Sequence, residues 1–332
     1  MSIIPVEVPT GAIRYNTDSN KMECFDGTKW WQVSVSSPEL SNNTFDPGAR
    51  GVFGGGESTT NVIDYINIAT NGDAYDFGDL VVARRFAVGA SSRIRGLFIG
   101  GATPYNDNID YITIDTTGNA ADFGNLTAAT ARQGCCASQT RALSGGGFAT
   151  SVVNTIDHVT IPSTGDAKDF GDLTQARASI GGFSSPTRGI FAGGQTPTMV
   201  NTIDYVTVST LGNAIDFGDT NPGVLRGPAG CSSTTRGVYG SGYAPGTTAD
   251  LYYITIATTG NGTDFGELTS GKQEVVGSTS NCVRGVWAGG QPGPKTDIDV
   301  ITIAATGNAV DFGDLSSSRS ATGACSNGHG GL

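Results

Sequence analysis

Short alternating and apolar runs recur along the chain at a nearly constant spacing. In one copy, residues 96–101 form an apolar run that ends in two glycines, and residues 109–114 alternate between apolar and polar positions. Such alternation is typical of a half-buried β-strand, because successive side chains point to opposite faces of a sheet. Since no window shows the three- and four-residue apolar spacing of a helix, the sequence predicts an all-β protein.

Six copies of one phrase follow each other from residue 50 onward. Each copy has an arginine and a glycine-rich run, the alternating run, a tight turn and an Asp-Phe-Gly element, and a small-residue run such as 132–138 precedes the next arginine. This period, with four short strands per copy, is typical of a β-propeller blade. The opening arginines, 45 to 48 residues apart, are Arg50, Arg95, Arg141, Arg188, Arg236 and Arg284.

The two ends of the repeat array complement each other. The first copy begins at Arg50 without its small-residue strand, whereas residues 319–327 form such a strand with no copy after it. We therefore expect a six-bladed β-propeller of four-stranded blades, closed by the C-terminal strand so that no sheet edge is left unpaired. Residues 330–332 align with 188–190, where a further copy would begin.

The repeat resembles that of kelch-type propellers. A glycine doublet ends the second strand, as at residues 100–101, an aromatic residue such as Phe77 lies in the fourth strand, and an arginine starts the next copy. The resemblance covers about 285 residues. The fourth-strand aromatic is Phe where kelch repeats usually carry Trp, and residues 240–242 read Gly-Ser-Gly. The resemblance implies a kelch-like fold and no particular function.

The first 36 residues follow a different pattern. Three short runs separated by polar turns over residues 11–33 predict a small three-stranded antiparallel sheet that cannot stand alone. The segment resembles a module near the ends of tail-fibre and other structural proteins of tailed phages, especially marine ones: Gly-Ala-Ile-Arg-Tyr-Asn, an acidic turn, then Asp-Gly-Thr-Lys-Trp. We divide the chain into this β module (1–36), a linker (37–48) and the propeller (49–332).

Trp30 and Trp31 are adjacent in the third predicted strand of the module. Because adjacent strand residues face opposite sides, one indole can cover the module's core while the other is left for a partner. Packing of both indoles on neighbouring strands is the alternative. We assign Trp30 and Trp31 as candidate docking residues, and the sequence leaves open whether the module docks onto a particle or forms a homotrimer.

Length variation is confined to one class of loop. The alternating run's aspartate, replaced once by Tyr252, precedes the aspartate of Asp-Phe-Gly by 12 residues in every copy, whereas it follows the opening arginine by 14 to 16. The variable loops between second and third strands emerge on the same face as the blade-to-blade loops. Aromatic and amide side chains there suit glycan or protein surfaces. The candidate binding residues are Tyr105, Asn106, Asp107, Met199, Tyr243 and Gln291.

Composition and charge narrow the classes of function. Fifty glycines, 15% charged residues and a net charge of −11 describe a loop-rich acidic chain. Most of the 19 Lys and Arg belong to the repeats, so we expect no nucleic-acid partner. Residues 1–10 lack the features of a signal peptide, and no run reaches the ~20 apolar residues of a membrane helix. We expect synthesis in a host bacterial cytoplasm, no membrane insertion and localisation in the virion.

No motif predicts catalysis or a cofactor. Asp-Phe-Gly recurs six times as a strand element, without the other signatures of a kinase. No Cys-x-x-Cys occurs, and His158 and His329 are far apart in sequence, so neither a zinc nor a copper site is expected. The six cysteines are expected to be free thiols. The repeated carboxylates, such as Asp76 with Asp79, are expected to cap turns or meet arginines, with calcium binding as the alternative.

Three functions remain after these exclusions. The first is a phage virion structural protein, on a tail, fibre or capsid, that binds other virion proteins through its N-terminal module and displays the propeller as an adhesin for a host glycan or protein. Many copies on one particle would supply avidity. The alternatives are a carbohydrate-active enzyme, which needs paired carboxylates in a pocket, and a generic intracellular kelch-like scaffold.

Overall fold

The computed structural model describes residues 8–17, 21–32, 50–57, 59–221, 223–273 and 277–332. The chain divides into two units, Met1–Asp46 and Pro47–Leu332. The predicted linker at 37–48 lies outside the described residues. All regular elements within the described ranges are β-strands, and none of these residues is helical, which confirms the all-β prediction.

The N-terminal unit contains a three-stranded antiparallel sheet, as predicted. Its strands are β1 (Ile13–Asn16), β2 (Lys21–Phe25) and β3 (Trp30–Gln32), in the order β1-β2-β3. In the turn before β3, the Asp26 carboxylate accepts hydrogen bonds from the Thr28 hydroxyl and from the backbone N–H groups of Lys29 and Thr28. These bonds hold the pKa of Asp26 well below its usual range and fix the turn.

The second unit consists of short antiparallel strands throughout its described part. The strands are β4 (Arg50–Gly54), β5 (Val62–Asn67), β6 (Tyr75–Asp79), β7 (Val88–Ser91), β8 (Arg95–Ile99), β9 (Asn108–Thr113), β10 (Ala121–Asn125), β11 (Gly134–Ala137), β12 (Arg141–Gly145), β13 (Thr155–Thr160), β14 (Lys168–Asp172), β15 (Gly181–Ser184), β16 (Arg188–Ala192), β17 (Gln195–Thr196), β18 (Thr198–Met199), β19 (Thr202–Thr207), β20 (Ile215–Asp219), β21 (Ala229–Ser232), β22 (Arg236–Tyr243), β23 (Thr247–Thr255), β24 (Thr263–Glu267), β25 (Gly277–Ser280), β26 (Arg284–Ala288), β27 (Lys295–Thr302), β28 (Val310–Arg319) and β29 (Gly323–Ser326).

These strands form six four-stranded sheets and one small hairpin, β17-β18, over the described residues. From the small-residue strand outward, we name them sheet I (β29-β4-β5-β6), sheet II (β7 to β10), sheet III (β11 to β14), sheet IV (β15-β16-β19-β20), sheet V (β21 to β24) and sheet VI (β25 to β28). The architecture is consistent with a β-propeller. In sheet I, β29 pairs with β4, from Gly323 opposite Gly54 to Ser326 opposite Gly51.

The first strand of each sheet, which we call the inner strand, lies against the inner strands of two other sheets. The contacts run from β7 to β11, β15, β21, β25 and β29 in turn, and β29 also contacts β7. Glycine permits this close approach. A Cβ atom on Gly182 of β15, for example, would lie 2.2 Å from the carbonyl oxygen of Cys135 in β11.

The repeated arginines join consecutive sheets. Each guanidinium group donates from Nη1 to a backbone carbonyl just beyond the third strand of the next sheet, at 2.7 to 3.0 Å. At these hydrogen bonds the acceptor is a carbonyl oxygen rather than a repeated carboxylate. The pairs are Arg50 with Ile114, Arg95 with Ile161, Arg141 with Val208, Arg188 with Ile256, Arg236 with Ile303, and Arg284 with Ile68.

Serine hydroxyls at the ends of the inner strands form a second set of links between sheets. Each donates to a backbone carbonyl of the neighbouring inner strand, at 2.6 to 2.8 Å. Sheet III carries Ala137 at this position and supplies no hydroxyl for the Ser91 carbonyl. The donor and acceptor pairs are Ser91 with Ser326, Ser326 with Ser280, Ser280 with Ser232, Ser232 with Ser184, and Ser184 with Ala137.

His329 takes the place of the missing sixth hydroxyl. Its Nε2 lies 2.8 Å from the Ser91 carbonyl oxygen, and its Nδ1 accepts a hydrogen bond from the backbone N–H of Gly331 at 3.1 Å. The ring also lines an axial cavity of about 50 Å³ between the inner strands. Residues 330–332, which align with the start of a repeat, do not form a strand, and a Cβ atom on Gly331 would lie 1.8 Å from the Ala137 carbonyl oxygen.

We expect His329→Gln to reduce the dependence of stability on pH. Desolvation lowers the pKa of His329 to about 4, so between pH 6.5 and 4 the unfolded chain binds a proton that the folded protein does not. Stability is therefore lost as pH falls through this window, by about 1 to 2 kcal/mol at pH 5. Glutamine keeps an N–H donor and does not titrate.

Urea unfolding of both proteins at pH 7.5 and pH 5 would measure this difference. His158→Gln is the matched control, because burial lowers the pKa of His158 as well, although its ring is half-exposed. We expect a smaller change there. An identical pH dependence in the wild-type protein and in His329→Gln would contradict the role assigned to the tail.

Candidate binding face

Two classes of loop lie at the same end of the sheets and are bonded to each other. The loops between second and third strands, together with the connecting loops between sheets, are here named the loop face. Backbone bridges join the two classes within sheets II to VI. The bridges hold the variable loops on a strand scaffold. They pair Arg85 with Ala102, Ala131 with Phe148, Ala178 with Gln195, Arg226 with Tyr243, and Gln273 with Gln291.

The loop of sheet II carries three of the predicted binding residues. Tyr105 is 48% exposed, and its ring centroid lies 5.9 Å from that of Phe148 in sheet III. Asn106 shapes the loop, because its side-chain oxygen accepts the backbone N–H of Asn108 at 2.6 Å. The carbonyl of Asp107 accepts the N–H of Leu126 at 2.7 Å. Of the three residues, Tyr105 therefore presents the largest surface to a partner.

Gln291 of sheet VI belongs to a polar chain that extends to sheet II. Its Nε2 donates to Glu57 Oε2 at 3.2 Å and to the Ser320 hydroxyl at 3.1 Å. Arg85 donates to Glu57 Oε1 at 2.8 Å and to the Thr103 hydroxyl at 3.0 Å. Although burial alone would raise it, the hydrogen bonds from Ser320 and Gln291 and the charge of Arg85 lower the pKa of Glu57. The chain ends two residues before Tyr105.

Met199 and Tyr243 lie on neighbouring sheets. Met199 is in β18, where it pairs with Gln195 of β17. Arg226 reaches the Gln195 side-chain oxygen at 3.5 Å, and its guanidinium carbon lies 4.9 Å from the centre of the Tyr243 ring. Both Met199 and Tyr243 are half-buried. The two predicted residues are therefore connected through an amide and a guanidinium group.

The six predicted residues thus form two groups. Gln291, Tyr105, Asn106 and Asp107 belong to a set of contacts that involves the loops of sheets VI, I, II and III, whereas Met199 and Tyr243 belong to one that involves sheets IV and V. Sequence reasoning placed Glu57 and Phe148 in variable loops but did not select them as binding residues, and it did not identify Arg85 or Arg226. A usable signal was present in the connecting loops, where Arg85 and Arg226 occupy the position that is alanine at 131 and 178. A charged residue at a position that tolerates alanine in other copies indicates a surface role.

The loop face carries side chains of several chemical types. It combines aromatic rings, guanidinium groups and amides, the groups that dominate protein interfaces. Among the residues that the structure describes, no three His, Cys, Asp or Glu side chains are grouped so that they could hold a metal ion. The six cysteines are free thiols, as predicted, and burial raises the pKa of Cys135 and of Cys325 to about 12.

The two predicted docking residues differ in exposure. Trp30 is half-buried, with its ring 5.3 Å from that of Phe25 and under the guanidinium group of Arg14 at 4.1 Å. Trp31 is 54% exposed, and the Lys29 ammonium lies 4.1 Å from the centre of its ring. The Trp30 ring packs on the sheet, whereas the Trp31 ring is more exposed and its indole N–H donates to the Asp26 carboxylate.

No protein-family model matches the chain, and neither does any curated protein. Within the described ranges, no helix is long and apolar enough to cross a membrane. The kelch-like and phage-like resemblances therefore depend on the motifs of the chain itself, together with the four-stranded sheets that the kelch-like repeat predicts.

Proposed function

We propose that the protein is a phage virion structural protein that displays a closed, six-bladed, kelch-like β-propeller. Six blades are supported by the six four-stranded sheets of the described residues. Closure is supported by the pairing of β29 with β4 and by the contact of β29 with β7. The hydrogen bond from Arg284 of sheet VI to Ile68 beyond β5 of sheet I supports it as well.

The loop face is the observation that carries the binding function. Its side chains lie on loops bridged to a strand scaffold, so little conformational entropy is lost when a partner binds. Tyr105, Tyr243, Arg85 and Arg226 are of the residue types that most often dominate binding energy. The partner is a host-surface glycan or protein, or another virion protein.

The N-terminal module attaches the propeller to the particle. Its exposed Trp31 supplies a rigid aromatic anchor for another virion protein. Attachment in many copies converts weak individual contacts of the loop face into avidity, because the second binding event on one particle is effectively intramolecular.

Quantitative mass spectrometry of purified phage particles tests the virion assignment. We expect the chain in the particles, and we expect Trp31→Ala to lower its copy number about tenfold or more, because an interface anchor is lost. Tyr15→Ala is the matched control, since Tyr15 is 56% exposed on β1, and it should leave the copy number near normal. Absence of the wild-type chain from particles would overturn the proposal.

Tyr105→Ala and Tyr243→Ala are each expected to weaken host-cell binding about 10- to 30-fold, because truncation removes an aromatic contact of the loop face. A glycan array and a cell-binding assay with purified full-length protein would measure the loss. Tyr75→Ala is the control, since Tyr75 is 67% exposed at the start of β6, away from the loop face. Unchanged binding in both loop variants would exclude this surface as the adhesive one.

A further inference from the structure

In five of the six sheets, a buried position of the third strand and a second position just before the inner strand together carry no net charge. In sheets I, II, IV and VI an aspartate there forms an ion pair with a cation that lies a few residues before the inner strand of the same sheet, and each of these side chains is at most 1% exposed. In sheet V both positions are uncharged, with Tyr252 in place of the acid and Leu225 in place of the cation. The ion pairs are Asp64 with Arg319, Asp110 with Arg84, Asp204 with Arg177, and Asp299 with Lys272.

Sheet III keeps the acid without the cation. Asp157 is 7% exposed, and Thr130 occupies the position of the arginine or lysine. The Asp157 carboxylate accepts hydrogen bonds from the hydroxyl of Thr127 at 2.8 Å and from its backbone N–H at 3.0 Å. Burial raises the pKa of Asp157, although the hydrogen bonds from Thr127 oppose this shift.

A second replacement enlarges the space beside Asp157. Ser144 of β12 lies directly opposite Asp157 in the strand register, where each other sheet has an aromatic residue. Together, Ser144 and Thr130 replace an aromatic ring and a long cationic side chain by two hydroxyls. The aromatic residues at this position are Phe53, Phe98, Phe191, Tyr239 and Trp287.

The result is a cavity of about 50 Å³ in which polar side chains lie beside the apolar groups of Ala128 and Val153. Its lining includes Thr130, Gln133, Ser144 and Asp157. Gln133 is 2% exposed and Ser144 is 5% exposed, and neither Gln133 Oε1 nor Ser144 Oγ has a hydrogen-bond partner among the described residues. Since a water-sized sphere needs only ~10–15 Å³, the cavity has room for an ion and a water molecule.

We propose that this cavity binds a small monovalent cation of the Na⁺ or K⁺ type, held by Asp157, Gln133 Oε1 and Ser144 Oγ. Carboxylate, amide and hydroxyl oxygens are the ligands that hard cations take. We infer the single positive charge of the ligand from the other five sheets, in which the acid position and the cation position together carry no net charge. One positive charge balances Asp157, whereas a divalent ion would leave an uncompensated charge in the interior.

Thermal unfolding of the full-length protein in choline, sodium and potassium chloride, at one ionic strength and pH 7.5, tests the site. We expect saturating Na⁺ or K⁺ to raise the melting temperature by about 2 °C over choline, because a ligand that binds only the folded state stabilises it. Asp157→Asn should abolish this response. Thr130→Arg, which supplies a tethered guanidinium, should abolish it too and raise the melting temperature in choline.

Asp264→Asn is the matched control, because Asp264 is an exposed carboxylate on β24 in sheet V, and its loss should leave the response to Na⁺ and K⁺ intact. In crystals soaked with Tl⁺, we expect an anomalous peak between Asp157, Gln133 and Ser144. Equal melting temperatures in all three salts would overturn the proposal. A salt response that persists in Asp157→Asn, or a response to Ca²⁺ but to neither Na⁺ nor K⁺, would overturn it as well.

Discussion

Replacing Arg177 with leucine is expected to lower the free energy of unfolding by about 3 to 5 kcal/mol. Arg177 Nη1 lies 2.9 Å from Asp204 Oδ2, and Nη2 donates to the Phe191 carbonyl at 3.1 Å. Neither side chain of the pair is exposed. Removing the cation leaves a buried carboxylate without its counter-charge in a medium of low polarity.

The double substitution Arg177→Leu with Asp204→Tyr should recover part of this loss. It copies the residues of sheet V, where Leu225 and Tyr252 occupy the same positions. Buried ion pairs are often replaceable by apolar residues of similar volume, because desolvation of the two charges offsets most of their attraction. Recovery should be incomplete, since the Thr174 hydroxyl and N–H both donate to Asp204 and lose that acceptor.

Denaturant unfolding of the single and double variants would measure the coupling between the two positions. Lys168→Leu, at an exposed position of β14, is the control and should change stability by less than about 0.5 kcal/mol. A double variant less stable than Arg177→Leu would contradict the interpretation.

The strands were predictable because their signals are local. Period-two alternation, glycine-containing turns and small-residue runs each lie within a few residues of the element that they define. The antiparallel order within a sheet follows from short connections. The pairing of the two ends was predictable by elimination. The first copy lacked its small-residue strand and residues 319–327 lacked a following copy, so the sequence indicated that this segment contains the strand that pairs with Arg50–Gly54.

The buried ion pairs were not predicted, because each joins a cation shortly before an inner strand to an aspartate in a third strand, and no local sequence pattern connects the two residues. Arg177 and Asp204 are 27 residues apart, and the cation lies in a loop. The replacement of aspartate by Tyr252 was visible in the sequence, yet its meaning required the matching change to Leu225. The contact of His329 with the Ser91 carbonyl was not predicted either, because the glycine-rich C-terminal segment has no periodic pattern that indicates its position in the fold.

The arrangement of the loop face was predictable only in outline. Length variation identified the loops that differ, and Tyr105 is indeed exposed. The side chains that connect those loops, Glu57 and Arg85, depend on which loops the fold brings together, and Asn106 proved to be a turn residue. Local sequence therefore indicates which loops vary. The contacts between those loops can be identified only when the arrangement of the sheets is known.

Gly89→Ala is expected to lower the free energy of unfolding by about 3 kcal/mol or more. A Cβ atom on Gly89 of β7 would lie 2.0 Å from the carbonyl oxygen of Ala324 in β29. The obstacle is backbone, so no side-chain rotation relieves the overlap, and the first and last inner strands would have to move apart. Gly182→Ala should have a similar effect, since its Cβ would lie 2.2 Å from the Cys135 carbonyl oxygen.

The comparison between these two variants tests closure of the ring. Gly182 of sheet IV faces sheet III, which directly precedes it in the chain. Gly89 of sheet II instead faces β29, the last strand of the sequence. Gly271→Ala is the control, because the nearest atom to its Cβ would be a methyl carbon of Thr247 at 3.2 Å, and the nearest backbone atom would lie at 3.5 Å. If the ring opened between β29 and β7 in solution, Gly89→Ala would be tolerated as well as Gly271→Ala. Equal destabilisation at Gly89 and Gly182 would mean that the contact between the two ends of the array is as tight as the contacts within it.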